Sequence, residues 1–224
     1  YRRGNQRFRE PPWCGMAGPA ALSSISFRNG VEAGGLFDAA CGDLPHWFYT
    51  LRLPREFARY FVLTGVTTAG LKEHLAKTGW TGRVPDPSLG DRLGLQVVAM
   101  GWSWSVWLAQ CSLLGVVMSC LPPGSHERVL IQGTRSPKLD LVEGMEWVVW
   151  CYVDDFVVLG LLPGQQLPAD GRVRQIYAKI RGRFVELGFA VHKEEKGTGL
   201  TKVLGAESSG PPGSWEKGTR ALET

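Results

Sequence analysis

The sequence reads as a mixture of strands and helices compatible with the α+β class, and three stretches carry that reading. Residues 147–160 hold two apolar, β-branched and aromatic runs on either side of Asp154-Asp155. Each run reads as a buried strand, with the aspartates at the turn of a hairpin. Val173, Ile176, Tyr177, Ile180, Phe184 and Leu187 recur at three-four spacing, with Arg172, Arg174, Lys179, Arg181 and Arg183 elsewhere on the surface. That is the pattern of an amphipathic helix with a basic outer side. Residues 102–121 carry no formal charge and read as a long helix buried in a core.

Composition sets the bounds. A chain of 224 residues, 44% hydrophobic and 21% charged, is globular in type and long enough for one large domain or two small ones. The net charge of +4 is compatible with a nucleic-acid partner without arguing for one, because clustering decides that. Cys14, Cys41, Cys111, Cys120 and Cys151 form no CxxC pair and read as buried, reduced thiols of an intracellular protein. The first residue is Tyr1 and no secretory signal follows, so the chain reads as cut from something longer. Residues 102–121 meet the length criterion for a membrane span. Ser103, Ser105, Gln110, Ser112 and Ser119, with no flanking Lys or Arg, favour a core helix, and no membrane partner is expected.

In chain order, residues 1–18 are basic and turn-rich, and 17–27 are small and apolar, suited to a short helix. Residues 36–54 run from an apolar segment through Asp38 and Asp43 to Pro45, which breaks any helix early. Residues 55–96 read as a helical region, clearest over 71–77, with a loop at 85–90. Residues 95–110 run from an apolar segment through Gly101 into the charge-free stretch. Residues 122–146 are loop-like with a short strand near 129–132, and 161–170 are loop. Gly188 reads as the C-cap of the basic helix. Residues 189–196 read as a short strand and a charged turn, and 208–224 as a polar tail or linker. His74 and His126 have no partner at metal spacing and read as surface residues.

Two adjacent carboxylates repel and resist ionising together. Hard divalent cations such as Mg²⁺ favour such oxygens and would remove the penalty. The bland alternative is a solvated acidic turn, which the strongly apolar flanks disfavour.

Tyr152-Val153-Asp154-Asp155, with its apolar flanks, resembles the YxDD box of reverse transcriptases. Asp43-Leu44, with Phe48-Tyr49 five and six residues later, resembles motif A of that family, which implies a strand ending at Asp43 and then a turn. On that spacing Asp43 is the catalytic carboxylate; Asp38, ten residues before Phe48, is rejected. Met100-Gly101-Trp102-Ser103 with Gln110 resembles motif B, which implies a short strand before a hinge at Gly101 and then a helix. The basic helix, Gly188-Phe189-Ala190-Val191 and a following lysine resemble motif D; Lys193 and Lys196 compete, and Lys196 is preferred. Arg2 and Asn5 match an element near the end of the fingers, and Leu204-Gly205 the primer-grip hairpin.

The resemblance spans roughly residues 2–205 and is closest in wording to retrotransposon enzymes. It implies a right-hand polymerase palm: an antiparallel sheet with packed helices and partial fingers. Residues 1–30 would end the fingers, 31–206 form the palm, and 207–224 be a tail. The implied activity is RNA-directed DNA polymerisation by two-metal nucleotidyl transfer from a dNTP to a primer 3′-hydroxyl, on an RNA or DNA template. Asp43, Asp154, Asp155 and the Leu44 carbonyl would hold two Mg²⁺ ions, with Mn²⁺ able to substitute. Phe48 would sit beneath the incoming sugar and reject a 2′-hydroxyl, with Met100, Gly101 and Lys196 also at the nucleotide. Arg2, Asn5, Gln110, Tyr152, Leu204 and Gly205 would face template and primer. Further fingers, thumb or RNase H domains are expected in a parent chain. Alternatives are a derived domain that binds or only folds without polymerising, an RNA-templated RNA polymerase (disfavoured by Phe48), and a metal-dependent phosphohydrolase.

Overall fold

The computed structural model describes residues 5–18, 21, 25, 36–84, 86, 88, 90–134, 137–141, 144–163, 171–198, 202–203, 206–208 and 215–217. The expected helix at 17–27 and the expected roles of Arg2, Leu204 and Gly205 fall largely or wholly outside them. The fold is mixed α and β with antiparallel sheets. The chain divides into two compact units, one of residues 1–11 and 46–108, the other of 12–45 and 109–224.

The second unit is built on a four-stranded sheet. Its strands are β1 (Leu36–Asp43), β4 (Trp147–Tyr152), β5 (Asp155–Leu162) and β6 (His192–Thr198), in the order β4-β5-β1-β6. Every described pairing in it is antiparallel. β4 and β5 are joined through Val153 and Asp154, with Tyr152 opposite Asp155, so the two apolar runs do form the expected hairpin. Alternation along the strands assigns two buried faces. Phe37, Ala39, Val148, Trp150, Val157, Leu159 and Leu161 form one core with Ala17, Ile25, Leu130 and Leu139. The Trp150 indole N–H donates to the Ala17 carbonyl at 2.6 Å.

The helix α4 (Arg172–Glu186) covers the other face with Val173, Ile176, Tyr177, Ile180 and Phe184, all buried. Phe156 of β5 stacks on Tyr177 and Phe184 at centroid distances of 5.7 and 5.5 Å. Complete burial of each such side chain contributes roughly 1.5–3 kcal/mol. Gly188, at φ 84°, ends the helix as expected. Phe189 N–H reaches the Phe184 carbonyl and Gly188 N–H the Val185 carbonyl, both at 2.9 Å. The rings of Phe184 and Phe189 meet edge to face, which completes a Schellman motif. Close approach of this layer explains Gly42: a Cβ there would stand 2.7 Å from Val191 and 2.9 Å from Phe156.

Asp38 is fully buried on the helix side. Arg174 of α4 grips both of its oxygens, Nε to Oδ2 at 2.9 Å and the terminal nitrogen to Oδ1 at 2.5 Å. A buried carboxylate needs such a partner, and a guanidinium supplies two parallel bonds.

The first unit contains the short helix α1 (Trp47–Thr50), a 3₁₀ turn (Arg55–Tyr60) and the helix α2 (Thr68–Lys77). It also holds a two-stranded sheet of β2 (Val62–Thr67) and β3 (Arg92–Gly94). Thr67 caps α2 by accepting from the Gly70 N–H, which starts the helix three residues before the expected segment. Leu53, Phe61, Val98, Ala99 and Trp102 form this unit's core, with Phe8, Phe48, Phe57 and Trp104 packed against it. The helix α3 (Ser103–Cys120) runs through the expected apolar stretch.

Several expectations change. β2 lies inside a region read as helical; its side chains are mostly exposed, so no inward alternation marked it. Residues 95–100 are not a strand: Val97 makes one isolated bridge to Arg52. Val129 likewise makes one parallel bridge to Val149. The charged run 192–196 is not a turn but β6 itself. Residues 206–208 and 215–217, read as tail, form β8 (Ala206–Ser208) and β9 (Trp215–Lys217). They make a three-stranded sheet with β7 (Lys202–Val203). Strands of two or three residues carry too little periodicity to be read. Of the cysteines only Cys151 is buried, the others being half-buried. α3 passes the length and hydropathy test for a membrane span, and 28% of it is buried, less than the core helix expected. Ser105, Ala109, Leu113 and Val117 are its buried stripe.

Candidate functional site: a carboxylate cluster at the β4–β5 turn

Three aspartates meet at one end of the four-stranded sheet. Asp43 ends β1 and stands directly opposite Asp155, the first residue of β5. The period of two places both on the sheet face that carries Phe37, Ala39, Val157 and Leu159, away from α4. Asp154 occupies the turn, and its carbonyl accepts the Leu44 N–H at 2.9 Å. Leu44 is buried, which fixes the backbone just past Asp43.

The electrostatics follow from that crowding. Burial and then the Asp43 charge raise Asp154 above the ordinary carboxylate range. Asp155 is pushed up to about 6 by burial, then by the charges of Asp154 and Asp43. Lys193 offsets part of this: its ammonium lies 3.2 Å from Asp43 Oδ2, and that hydrogen bond raises the lysine in turn. Lys193 sits at φ 46°, in the region an L residue seldom occupies, so its backbone is bent at the position that meets Asp43. Lys196, the expected motif D lysine, is placed elsewhere. It pairs with Ala40 rather than with the Asp43 end of β1, 3.8 Å from Glu194 and over the Tyr177 ring. Lys193 is the lysine brought to the carboxylates.

The turn is strained and braced. Val153 has φ 58°, costly for a β-branched residue. Asp154 N–H bonds back to the Tyr152 carbonyl at 2.7 Å, a three-residue closure of the rarer, strained kind. Gln110 holds it. Its Nε2 donates to the Cys151 carbonyl at 3.1 Å, and its Oε1 accepts the Val153 N–H at 2.7 Å. Gln110 is 1% exposed, so the side chain expected to face the template is committed to the turn instead. The signal was present in the sequence: a lone amide in an apolar helix must find buried partners.

The remaining expected residues are distributed as follows. Tyr152 is half-buried and stacks on Trp150 at 5.9 Å. Phe48 is half-buried against the first unit's core. Met100 is 54% exposed, and Gly101 has φ 89°, a conformation that favours glycine. Asn5 donates to the Gly101 carbonyl and accepts the Ser103 N–H, both at 3.0 Å. It thereby caps α3, a structural role not foreseen.

Among the described residues no group of three or more His, Cys, Asp or Glu side chains is placed as it stands to hold a metal ion. Scanning protein-family models gives no match to this chain, and a search of curated proteins gives none either.

Proposed function

We propose that the chain is a reverse-transcriptase palm with part of the fingers, of retrotransposon type. It is read as an RNA-directed DNA polymerase that transfers a nucleotide from a dNTP to a primer 3′-hydroxyl on an RNA or DNA template. The observation that carries this reading is Asp43 placed opposite Asp155 across antiparallel strands, with Asp154 in the turn beside them. An antiparallel sheet with a helix packed on the face away from the acids is consistent with a palm.

The chemistry of the donors, though not a ready-made ligand set, suits divalent cations. Three hard oxygen ligands crowd together, two resist ionisation partly through mutual charge, and a lysine ammonium already rests on the third. Asp43, Asp154, Asp155 and the Leu44 carbonyl would hold two Mg²⁺ or Mn²⁺ ions. When bound, they would activate the primer hydroxyl for in-line attack and steady the leaving pyrophosphate. The chain's own contribution is positioning. Gln110 fixes the turn that carries Asp154 and Asp155, and Leu44 N–H ties that turn to β1. Lys193 offsets the Asp43 charge through their ion pair. Lys196 yields to Lys193, and the nucleotide roles of Phe48, Met100 and Gly101 rest on the resemblance alone. Asn5 and Gln110 act as braces; Tyr152 flanks the acids.

One observation favours a second reading. The Lys193–Asp43 ion pair, with no closed ligand set among the described residues, suits a derived domain that retains the fold and binds nucleic acid without polymerising. Primer extension on an RNA template with Mg²⁺ separates the two, using the chain beside Asp154→Asn. Deoxynucleotide incorporation by the first alone supports the polymerase. Incorporation by both sinks the metal assignment, and by neither favours the second reading.

A further inference from the structure

The first unit contains a cavity of about 540 Å³ between the 3₁₀ turn, β2 and the segment around Phe8. The ribbon beside it is incomplete as a sheet. β2 pairs only with β3, and no described strand lies along its other edge. β3 is backed by the 3₁₀ turn, where a Cβ at Gly94 would run into the Ala58 carbonyl, whereas β2 leaves most of its side chains exposed. Two strands alone are marginal in water and gain from a third. Natural edges are commonly blunted with charges or proline, as β6 is with Lys193, Glu194 and Lys196. β2, Val-Leu-Thr-Gly-Val-Thr, has neither. Its one irregularity is a bulge between Val62 and Thr67, with Gly65 at φ 79°. That bulge faces the cavity, which Leu63, Thr64 and Val66 help to line.

The charged groups lining this cavity are Arg7 and Arg59, both exposed. Neither has an acidic partner among the described residues, and no carboxylate lines the cavity. Arg59 lies over the Tyr60 ring at 4.9 Å, so a cation and an accessible aromatic side chain stand together. Phe8 meets Tyr60 edge to face at 5.4 Å, and Val62 and Val66 add exposed aliphatic surface. Unneutralised cations on an apolar wall complement a partner that carries acidic and apolar groups side by side. Two cations are few for tracking a phosphodiester backbone, whose binding grows with each phosphate neutralised. An open strand edge, moreover, pairs with a peptide backbone.

We infer that this surface binds an extended acidic and apolar segment of a partner protein, added as a strand along the open edge of β2. Its backbone takes up the unpaired groups of β2, which supplies affinity, and alternate side chains supply specificity. Aspartate or glutamate side chains meet the Arg7 and Arg59 guanidinium forks. Apolar side chains enter the cavity against Phe8, Tyr60 and Val66. The inference uses no metal and none of the aspartates, so it stands or falls apart from the polymerase reading.

Fluorescence anisotropy of labelled peptides titrated with the full chain in EDTA tests it. The probes are peptides of about eight residues, the length of an ordinary strand, alternating valine with aspartate in one and valine with lysine in the other. Saturable binding of the aspartate peptide is expected, about tenfold or more tighter than that of the lysine peptide. Reversing both arginines, Arg7→Glu with Arg59→Glu, should invert that order; both side chains are exposed, so the fold is kept. Arg83→Glu, at an exposed arginine outside the cavity, should leave the order unchanged. N-methylation of alternate backbone nitrogens in the aspartate peptide should abolish binding, because a strand edge needs those donors. Similar affinity for the two peptides, an order that survives the double reversal, or undiminished binding of the methylated peptide overturns the inference. So does equal loss with Arg83→Glu. Tighter binding of an oligothymidylate of the same length, lost with the double reversal, would make the arginines a phosphate site and overturn it too.

Discussion

Replacing Gln110 by Met tests how the carboxylate turn is held. The substitution keeps an unbranched side chain of similar length and removes both hydrogen bonds to the turn, 3.1 Å to the Cys151 carbonyl and 2.7 Å from the Val153 N–H. Each bond contributes about 1 kcal/mol net, and each backbone group left unsatisfied in the interior costs about 1–3 kcal/mol. Cys151 is fully buried, so its carbonyl bears most of that penalty. Val153 is half-buried, and its N–H recovers water. The expected destabilisation is about 2–4 kcal/mol, a large part of the roughly 5–15 kcal/mol that holds a domain together.

Urea unfolding of the two proteins gives the global figure, and amide hydrogen exchange at Val153 gives the local one. A loosened turn should exchange faster at Val153 than the loss of global stability explains. A change below about 0.5 kcal/mol, within the range of an ordinary surface substitution, together with unaltered exchange at Val153, would refute the bracing role.

The Asp38–Arg174 pair predicts a sign reversal. Arg174→Met alone strands a buried carboxylate and should cost about 3–5 kcal/mol in urea unfolding, whereas adding Asp38→Leu should recover most of it; an additive double variant would contradict the pairing. Asp155 predicts a pH dependence. Its folded pKa of about 6 lies above the ordinary 3.8, so the folded state holds the proton more tightly. Its contribution to stability is then greatest below pH 4, falls as pH rises through 4 to 6, and levels off above. Asp155→Asn should flatten that window, and a profile unchanged by it would disprove the assignment. Mg²⁺ should raise the melting temperature of the unmodified chain at pH 8 more than at pH 5, because only the ionised cluster binds it well. Equal shifts at the two pH values would count against the metal site.

What was legible in the sequence was whatever a single face of one element had to declare. The β4–β5 hairpin announced itself because both of its strands are buried on both faces. α4 did so because five apolar residues line one side and Gly188 offers the left-handed cap. β6 was misread because it is an edge strand. Lys193, Glu194 and Lys196 are the charged residues that blunt an exposed edge, and the run looks like a turn until the neighbouring Asp43–Asp38 segment is in place. β2 was missed because its outward-facing Val62, Thr64 and Val66 show no alternation. At the site, the carboxylates were found from spacing, but their supports were not. Gln110 lies 41 residues from Cys151 and 43 from Val153, and Lys193 competes with Lys196 on equal terms until strand register separates them.

The geometry of the turn itself weighs against the bland reading of Asp154-Asp155 as a solvated acidic loop. A two-residue hairpin is most easily closed by Asn-Gly or Asp-Gly, which accept positive φ without strain. This chain places a β-branched valine at φ 58°, at a cost of order 1–3 kcal/mol. It then sets two aspartates beside a third, against their mutual repulsion. Neither choice helps the hairpin form, and both persist because the strands beneath are fully buried and Gln110 satisfies the backbone at the tip. A turn selected only for folding would shed the valine and at least one acid. One selected to present carboxylates in a fixed arrangement has reason to keep all of them, and to keep the glutamine that holds them there.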